Sequence, residues 1–114
     1  MIGFTPYDGD LMGLATNDNH LVFRWNNDSC KVLFSVTRKG DAASCHFASD
    51  SDGLKLIGLA IDEFCTFVFS SLIWCKMIIA VIDRPSVCRL VARCGFCYAG
   101  DIDNCKIYMR KNNG

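Results

Sequence analysis

MIIAVIDRPSVCRLVARCGFCYAG, residues 77–100, carries three structural signals in direct succession. It opens with an uninterrupted aliphatic run, which is typical of a β-strand buried on both faces. Pro85 suits the first turn of a helix, and Gly95 suits the left-handed position just beyond a helix end. Phe96 follows that glycine and is expected to fill part of the core. The segment therefore predicts a buried strand, a short helix and a sharp chain reversal.

Upstream of this segment the sequence predicts one long helix and several strands. Large apolar side chains recur at helical spacing between residues 52 and 70. The first twenty residues are rich in glycine and polar residues, so they are expected to form loops or one short helix. Strands are predicted at His20–Trp25, Cys30–Arg38, Ala42–Ala48, Trp74–Ile82 and Asn104–Lys111.

The order of the predicted elements is β-β-β-α-β-α-β, which indicates an α/β fold with a mixed sheet. The connection through the long helix is expected to be right-handed, so Ala42–Ala48 and Trp74–Ile82 should be parallel neighbours. No repeat, low-complexity tract or linker divides the chain. Its 114 residues are therefore predicted to form one domain, residues 1–114.

Composition narrows the classes of function. Twelve basic and twelve acidic residues give a formal net charge of zero, so no basic excess indicates a nucleic-acid partner. Charged and polar residues interrupt the most hydrophobic region, residues 54–82, and no membrane span is expected. The opening residues MIGFTPYDGD do not resemble a secretory signal peptide. A cytoplasmic, reducing location is expected, with the eight cysteines mostly as buried thiols.

The sequence resembles the GNAT N-acyltransferase superfamily. The element order carries this likeness, together with DRPSVCRLVARCGF, Asp83–Phe96, where a strand and a short helix lead to Gly-Phe. The likeness covers Cys30–Arg110. It implies that Ala42–Ala48 and Trp74–Ile82 diverge into a V-shaped notch, which in this family admits the pantetheine arm of acetyl-CoA. The family begins with a strand and two helices, so the resemblance implies a GNAT-like fold that is trimmed at its N-terminus.

A narrower likeness joins FSVTRKGDAASCHFASDSDGLKLIGLAIDEF, residues 34–64, to the GNAT-like internal virion proteins of short-tailed phages. Those proteins combine a degenerate cofactor loop with a similar strand, helix and glycine tail. The likeness implies a structural or interaction component of a phage particle, located in the virion. Because the N-terminal region is short, a protein partner or a second copy of the chain is expected to complete the fold.

The resemblance places a cofactor site at the start of the long helix. The family pattern there is Arg or Gln, two residues, Gly, one residue, then Gly or Ala, and its backbone N–H groups hold a diphosphate. The corresponding ASDSDGLK, residues 48–55, has one glycine, no Arg or Gln, and two aspartates that repel a diphosphate. Its Ser and Asp residues are equally suited to capping the helix. If acetyl-CoA binds, the candidate contacts are Phe47, Ala48, Gly53, Leu54, Lys55 and Arg84.

Two residues are candidates for proton transfer. The family's general acid is often a tyrosine four residues before the Gly of Gly-Phe, where this chain has Val91. Tyr98 is the candidate replacement. His46 is the candidate general base because the usual pKa of histidine suits proton transfer near neutral pH. A hydrogen-bonded structural role is the simpler interpretation of His46.

The cysteines near the C-terminus raise the alternative of a metal site. Cys94 and Cys97 form a CxxC pair between Cys88 and Cys105, and four thiolates can bind zinc. Zinc sites usually contain two such pairs, so no metal site is predicted. Two functions remain: a non-catalytic GNAT-fold structural or interaction component, which we favour, and an acetyl-CoA-dependent N-acetyltransferase with an atypical loop.

Overall fold

The computed structural model describes residues 3–14 and 19–112 and has one mixed sheet with helices packed against it. The strands are β1 (Phe4–Pro6), β2 (Leu21–Trp25), β3 (Val32–Lys39), β4 (Ala42–Ser49), β5 (Met77–Ile82), β6 (Cys97–Ile102) and β7 (Cys105–Lys111). The helices are α1 (Ser51–Leu54), α2 (Ile57–Ser71) and α3 (Pro85–Arg93). The predicted α/β class with a mixed sheet is confirmed. In the described part of the chain, no helix combines the length and hydrophobicity that crossing a membrane requires.

The seven strands are ordered β1-β2-β3-β4-β5-β7-β6, and β4 and β5 form the parallel pair that the sequence predicts. Their register joins Ala42–Ser44 to Met77–Ile79 and ends there. Beyond it β4 continues to Ser49 and β5 to Ile82, with no further pairing between the two. The strands therefore start as neighbours and then separate, leaving the notch that the resemblance implies.

A cluster of phenylalanine side chains holds α2 against the sheet. The rings of Phe34 on β3 and Phe64 on α2 are stacked, with centroids 4.1 Å apart and an interplanar angle of 8°. Phe4 on β1 contacts both rings and also stacks on Phe67 at 5.0 Å. All four side chains are buried. This aromatic cluster fixes α2 relative to β1 and β3, and so fixes where the chain enters the helix.

The reversal after α3 follows the sequence prediction. Gly95 adopts a left-handed φ of +87°, and Phe96 is buried with 6% of its surface exposed. Arg110 of β7 stabilises the turn, because its Nη1 donates to the Cys94 carbonyl oxygen at 3.0 Å and to Asp62 Oδ1 of α2 at 3.0 Å. One guanidinium thus joins α2, the end of α3 and the C-terminal hairpin.

Three details of the sequence prediction are wrong. The stretch expected to be loop or helix contains β1, and residues 1–2 and 15–18 of that stretch lie outside the described residues. β6 was not predicted, because its side chains are mostly exposed and a bulge between Tyr98 and Gly100 breaks its register. The predicted helix over residues 52–70 is divided into α1 and α2. The division lies at Lys55 and Leu56, whose N–H groups bond to carbonyls three residues back.

Candidate functional site

A cleft with a cavity volume of about 650 Å³ opens where β4 and β5 separate. That size lies within the range of about 300–1,000 Å³ that is usual for small-molecule sites. Its long walls are Cys45–Ser49 of β4 and Ala80–Ile82 of β5. Further lining comes from Met12, Gly13, Leu54, Asp83, Arg84, Val87, Val91 and Cys105.

The two faces of the sheet give the cleft two different sides. Directly paired residues of antiparallel strands share a face, so Phe47 lies with Phe34 on the face that α2 covers. His46 pairs with Ser35 and lies on the opposite face. Val91 of α3 is buried and adds to the helix side. The cleft is therefore apolar on its helix side and carries an imidazole on its other side.

The side chain of Asp50 is hydrogen-bonded to a backbone N–H group at the start of α1. Asp50 is the N-cap residue, and its Oδ1 accepts a hydrogen bond from the Gly53 N–H at 2.7 Å. Its Oδ2 accepts a second bond from the Lys31 N–H at 3.0 Å. One side-chain carboxylate thus occupies the kind of position that an anionic ligand takes at a helix N-terminus.

Gly53 is required here by close packing. A β-carbon at this residue would lie 2.7 Å from Val32 Cγ2 and 3.1 Å from Asp50 Oδ1, and it would collide with the Ser49 hydroxyl. The space above the glycine is therefore filled by the protein itself. Lys55, which follows two residues later and is a candidate cation, is exposed and forms an ion pair with Asp52 at 3.7 Å.

His46 is half-buried and borders the cleft. Burial lowers the pKa of its imidazole below the ordinary value of 6.5, and the nearby charge of His20 lowers that pKa further. The two imidazole rings have centroids 6.3 Å apart. A neutral imidazole at this place has the protonation state that a proton acceptor needs.

The structure does not place Tyr98 with His46. Tyr98 lies on the edge strand β6 and borders a second cavity, formed by α2, α3 and the C-terminal hairpin. Its hydroxyl donates to Asp101 Oδ1 at 2.8 Å. This bond is the largest cause of the raised pKa of Tyr98, since it favours the protonated phenol. At the position of the family tyrosine, Val91 offers no proton.

The candidate cofactor contacts divide into two groups. Phe47, Ala48, Leu54 and Arg84 border the cleft, whereas Gly53 and Lys55 do not. Sequence reasoning missed the walls contributed by Ala80 and Val87. The aliphatic run of β5 and the apolar stripe of α3 are compatible with an ordinary core, so neither pattern marks a cleft-facing residue.

The four cysteines considered as zinc ligands are spread over α3 and the hairpin. Cys88 is buried, Cys97 is exposed on β6, and Cys94 Sγ donates to the Gly58 carbonyl oxygen at 3.7 Å. Over residues 3–14 and 19–112, no three His, Cys, Asp or Glu side chains lie close enough together to hold a metal ion. All eight cysteines are free thiols.

Comparison with solved structures identifies the fold. The N-acetyltransferase PseH of Campylobacter jejuni in complex with acetyl coenzyme A superposes with a TM-score of 0.73 and 10% identity, over 85% of this chain and 71% of that one. A variant of spermidine N-acetyltransferase SpeG of Vibrio cholerae gives 0.68 and 14%, over 83% and 67%. An uncharacterised Bacillus halodurans protein gives 0.69 and 11%, over 83% and 60%.

Identities this low show the fold alone. The chain has the GNAT N-acetyltransferase fold, as its Gly-Phe tail and element order predict. No protein-family model matches the sequence, and no curated protein sequence matches it.

Proposed function

We propose that this chain is a GNAT-fold protein that does not transfer acetyl groups and serves as a structural or interaction component. The main support for the proposal is the Asp50 carboxylate, which accepts hydrogen bonds from the N–H groups of Gly53 and Lys31 at the start of α1. In the GNAT family this is the region that holds the cofactor diphosphate. In this chain the carboxylate of Asp50 occupies that region.

The diphosphate of acetyl-CoA does not fit this end of the cleft. The Gly53 N–H is already bonded, and Val32 and Ser49 fill the space above the glycine. Asp50 and Asp52 add negative charge where a diphosphate would add more, and repulsion between like charges is strong at short range. Lys55 offsets little of it, because its ammonium is exposed and paired with Asp52.

The proton-transfer residues support the same proposal. Val91 stands where many family members have an acidic tyrosine, and it is an apolar side chain in the cleft wall. Tyr98, the candidate replacement, borders a different cavity and bonds to Asp101. His46 is then a base without the matching acid that the resemblance implies.

Three observations favour acetyl transfer as the second candidate function. The β4–β5 notch is open, and the neutral imidazole of His46 borders it. PseH, which has the same fold, has been solved in complex with acetyl coenzyme A. An N-acetyltransferase with an atypical loop would use the notch to bind its cofactor and the imidazole of His46 as its base.

Binding and turnover of acetyl-CoA decide between the two candidates. A ligand at one hundred times its dissociation constant adds about 2.7 kcal/mol to the free energy of unfolding. We expect acetyl-CoA at about millimolar concentration, far above a typical cofactor dissociation constant, to produce no such increase. We also expect no acetylation of spermidine, the substrate named for SpeG. A clear increase, with acetylated spermidine formed by the wild type and lost in His46→Gln, would establish the enzyme instead.

Product formation is best followed by mass spectrometry. The chain has eight cysteines, which would react with thiol reagents used to detect released CoA. A His20→Gln variant provides the matched control, since it alters the imidazole next to His46 and leaves the candidate base in place.

The interaction role predicts that the chain associates with itself or with a protein partner. Sedimentation velocity should then give a mass above the 12.7 kDa of one chain, or the chain should co-purify with a larger assembly. A monomer that binds acetyl-CoA would contradict the role. Membership of a phage particle is the finer proposal. The layout of residues 34–64 supports it, and co-sedimentation with intact virions tests it.

A further inference from the structure

Two strand edges face each other across the cleft without pairing. β4 is paired with β3 along its whole length, and β5 with β7 along its whole length. On their facing edges the two strands pair only over Ala42–Ser44 and Met77–Ile79. Alternate residues within 45–49 and 80–82 therefore present backbone N–H and C=O groups to the cleft, while the residues between them bond to β3 or β7. Such groups are strong hydrogen-bonding sites.

An extended peptide has the hydrogen-bonding pattern that such edges require. Peptide segments commonly bind by adding a strand to an exposed sheet edge, with main-chain bonds giving affinity and side-chain pockets giving specificity. Because β4 and β5 are parallel, an added strand has the same orientation relative to both. It can therefore pair with both strands where the gap between them is wide enough for one strand.

The side chains of the cleft indicate which peptide fits. Successive residues of a strand point to opposite faces. Every second residue of an added strand would point to the helix side, towards Phe47, Ile82 and Val91, where apolar side chains are favoured. The residues between them would point to the side of His46 and Val81, which is more open.

Charge at the α1 end favours a basic residue in the peptide. Asp83 and Arg84 border the cleft, and Asp50, Asp52 and Lys55 lie at the start of α1. Of these five groups, only Asp83 and Arg84 line the cleft itself. The five groups together have three negative charges and two positive charges, which leaves one net negative charge. A lysine or arginine at this end of the peptide is complementary to that charge, whereas a phosphate is not.

Resting on the non-catalytic role proposed above, we infer that the cleft binds an extended, apolar peptide segment with a basic residue, as a strand between β4 and β5. The segment's backbone pairs with residues 45–49 and 80–82. Alternate apolar side chains pack against the helix side of the cleft. The cleft that the family uses for a cofactor arm is, on this inference, a peptide-binding groove.

Selection from a displayed library of random octapeptides tests the inference on the intact protein. We expect enriched peptides to have apolar residues at every second position and a lysine or arginine near one end. Synthetic copies should shift the backbone amide resonances of residues 45–49 and 80–82. The inference would be overturned if no selected peptide shifted these resonances. It would also be overturned if the selected peptides shifted the amide resonances of other residues instead.

Backbone pairing is tested separately from side-chain packing. N-methylation of the peptide at alternate residues removes donors on one edge and keeps every side chain. Because each net hydrogen bond contributes about 0.5–1.5 kcal/mol, loss of two should weaken binding by between about fivefold and about 140-fold. Equal affinity for the methylated peptide would contradict strand addition.

A filled cleft provides the variant test. Ala80→Phe places a ring in the cleft, and we expect it to weaken peptide binding by more than about tenfold. Ile73→Thr is the matched control, because Ile73 is 94% exposed and does not border the cleft. If Ala80→Phe does not fold, the amide shifts of the wild type decide the question. The acetyl-CoA experiment tests the proposed function and the peptide experiments test this inference, so either can fail alone.

Discussion

The aromatic cluster under α2 and the start of α1 are built on the same strand in different ways. Phe34 of β3 stacks on Phe64, whereas Val32, two residues earlier, packs against Gly53. The first region depends on large rings and burial. The second depends on small side chains and one carboxylate. The packing that holds the fold together and the residues at the start of α1 therefore use different side chains, so the second set can change while the first is kept.

Loss of a ring from the aromatic cluster should have the largest effect. Phe64→Ala removes the stack with Phe34 and leaves a cavity, so we expect the free energy of unfolding to fall by about 3–5 kcal/mol in denaturant titrations. Ile73→Ala, at an exposed position, should change it by less than about 0.5 kcal/mol. Similar losses in both variants would show that the cluster is not the main source of stability.

Adding a methyl group at the start of α1 should have the next largest effect. Gly53→Ala forces a β-carbon against Val32 and Ser49, and we expect a loss of about 1–3 kcal/mol. Gly58→Ala is the matched control, because its nearest neighbour would be Leu90 Cδ1 at 3.8 Å. Within α2 this change should stabilise by about 0.5–1 kcal/mol. A neutral Gly53→Ala variant would mean that the loop has spare room for a ligand.

Removal of the carboxylate should have a smaller effect. Asp50→Ala leaves the Gly53 and Lys31 N–H groups without their acceptor, and loss of an N-cap costs about 0.5–2 kcal/mol. Asp50→Asn keeps one carbonyl oxygen, so it should retain the bond from the Gly53 N–H. Its stability should therefore lie between that of the wild type and that of Asp50→Ala. The comparison of the two regions fails if Asp50→Ala destabilises as much as Phe64→Ala.

The smallest expected effect is the pH dependence contributed by His46. Its pKa is lowered in the folded protein, chiefly by burial, so the unfolded chain binds more protons below pH 6.5. The stabilisation is present above pH 6.5 and is lost as the pH falls through the lowered folded-state pKa. His46→Gln should therefore show a shallower loss of stability between about pH 7 and pH 5. Identical pH profiles would show that His46 has the same pKa in the folded and the unfolded protein, which would contradict the lowering by burial.

The fold could be predicted from sequence wherever burial and periodicity act together. The aliphatic run of β5 and the Pro85-to-Gly95 helix have patterns that few other structures produce. β1 has three residues and β6 is mostly exposed, so neither provides enough periodic signal. The break between α1 and α2 was missed because the side chains of Lys55 and Leu56 continue a helical pattern. Their backbone N–H groups, however, bond to carbonyls three residues back, as in the tighter 3₁₀ turn, instead of four.

The candidate site was predictable where its residues lie on β4, and less so elsewhere. His46, Phe47 and Ala48 border the cleft because β4 separates from β5 after Ser44, and the resemblance predicted the notch beside this strand. Tyr98 borders a different cavity because the bulged strand β6 lies at the far edge of the sheet. The sequence predicted that Asp50 caps a helix or repels a phosphate, and the structure confirms the cap. Only the structure shows that it also binds the Lys31 N–H across the loop.

The position of Asp50 in the chain has a further consequence. A group tethered by a short loop acts at an effective concentration of about millimolar or more, and dilution does not remove it. Any anion from solution would have to displace a carboxylate that is covalently attached beside the Gly53 and Lys31 N–H groups. A substitution at residue 50 is therefore the direct way to free these two N–H groups.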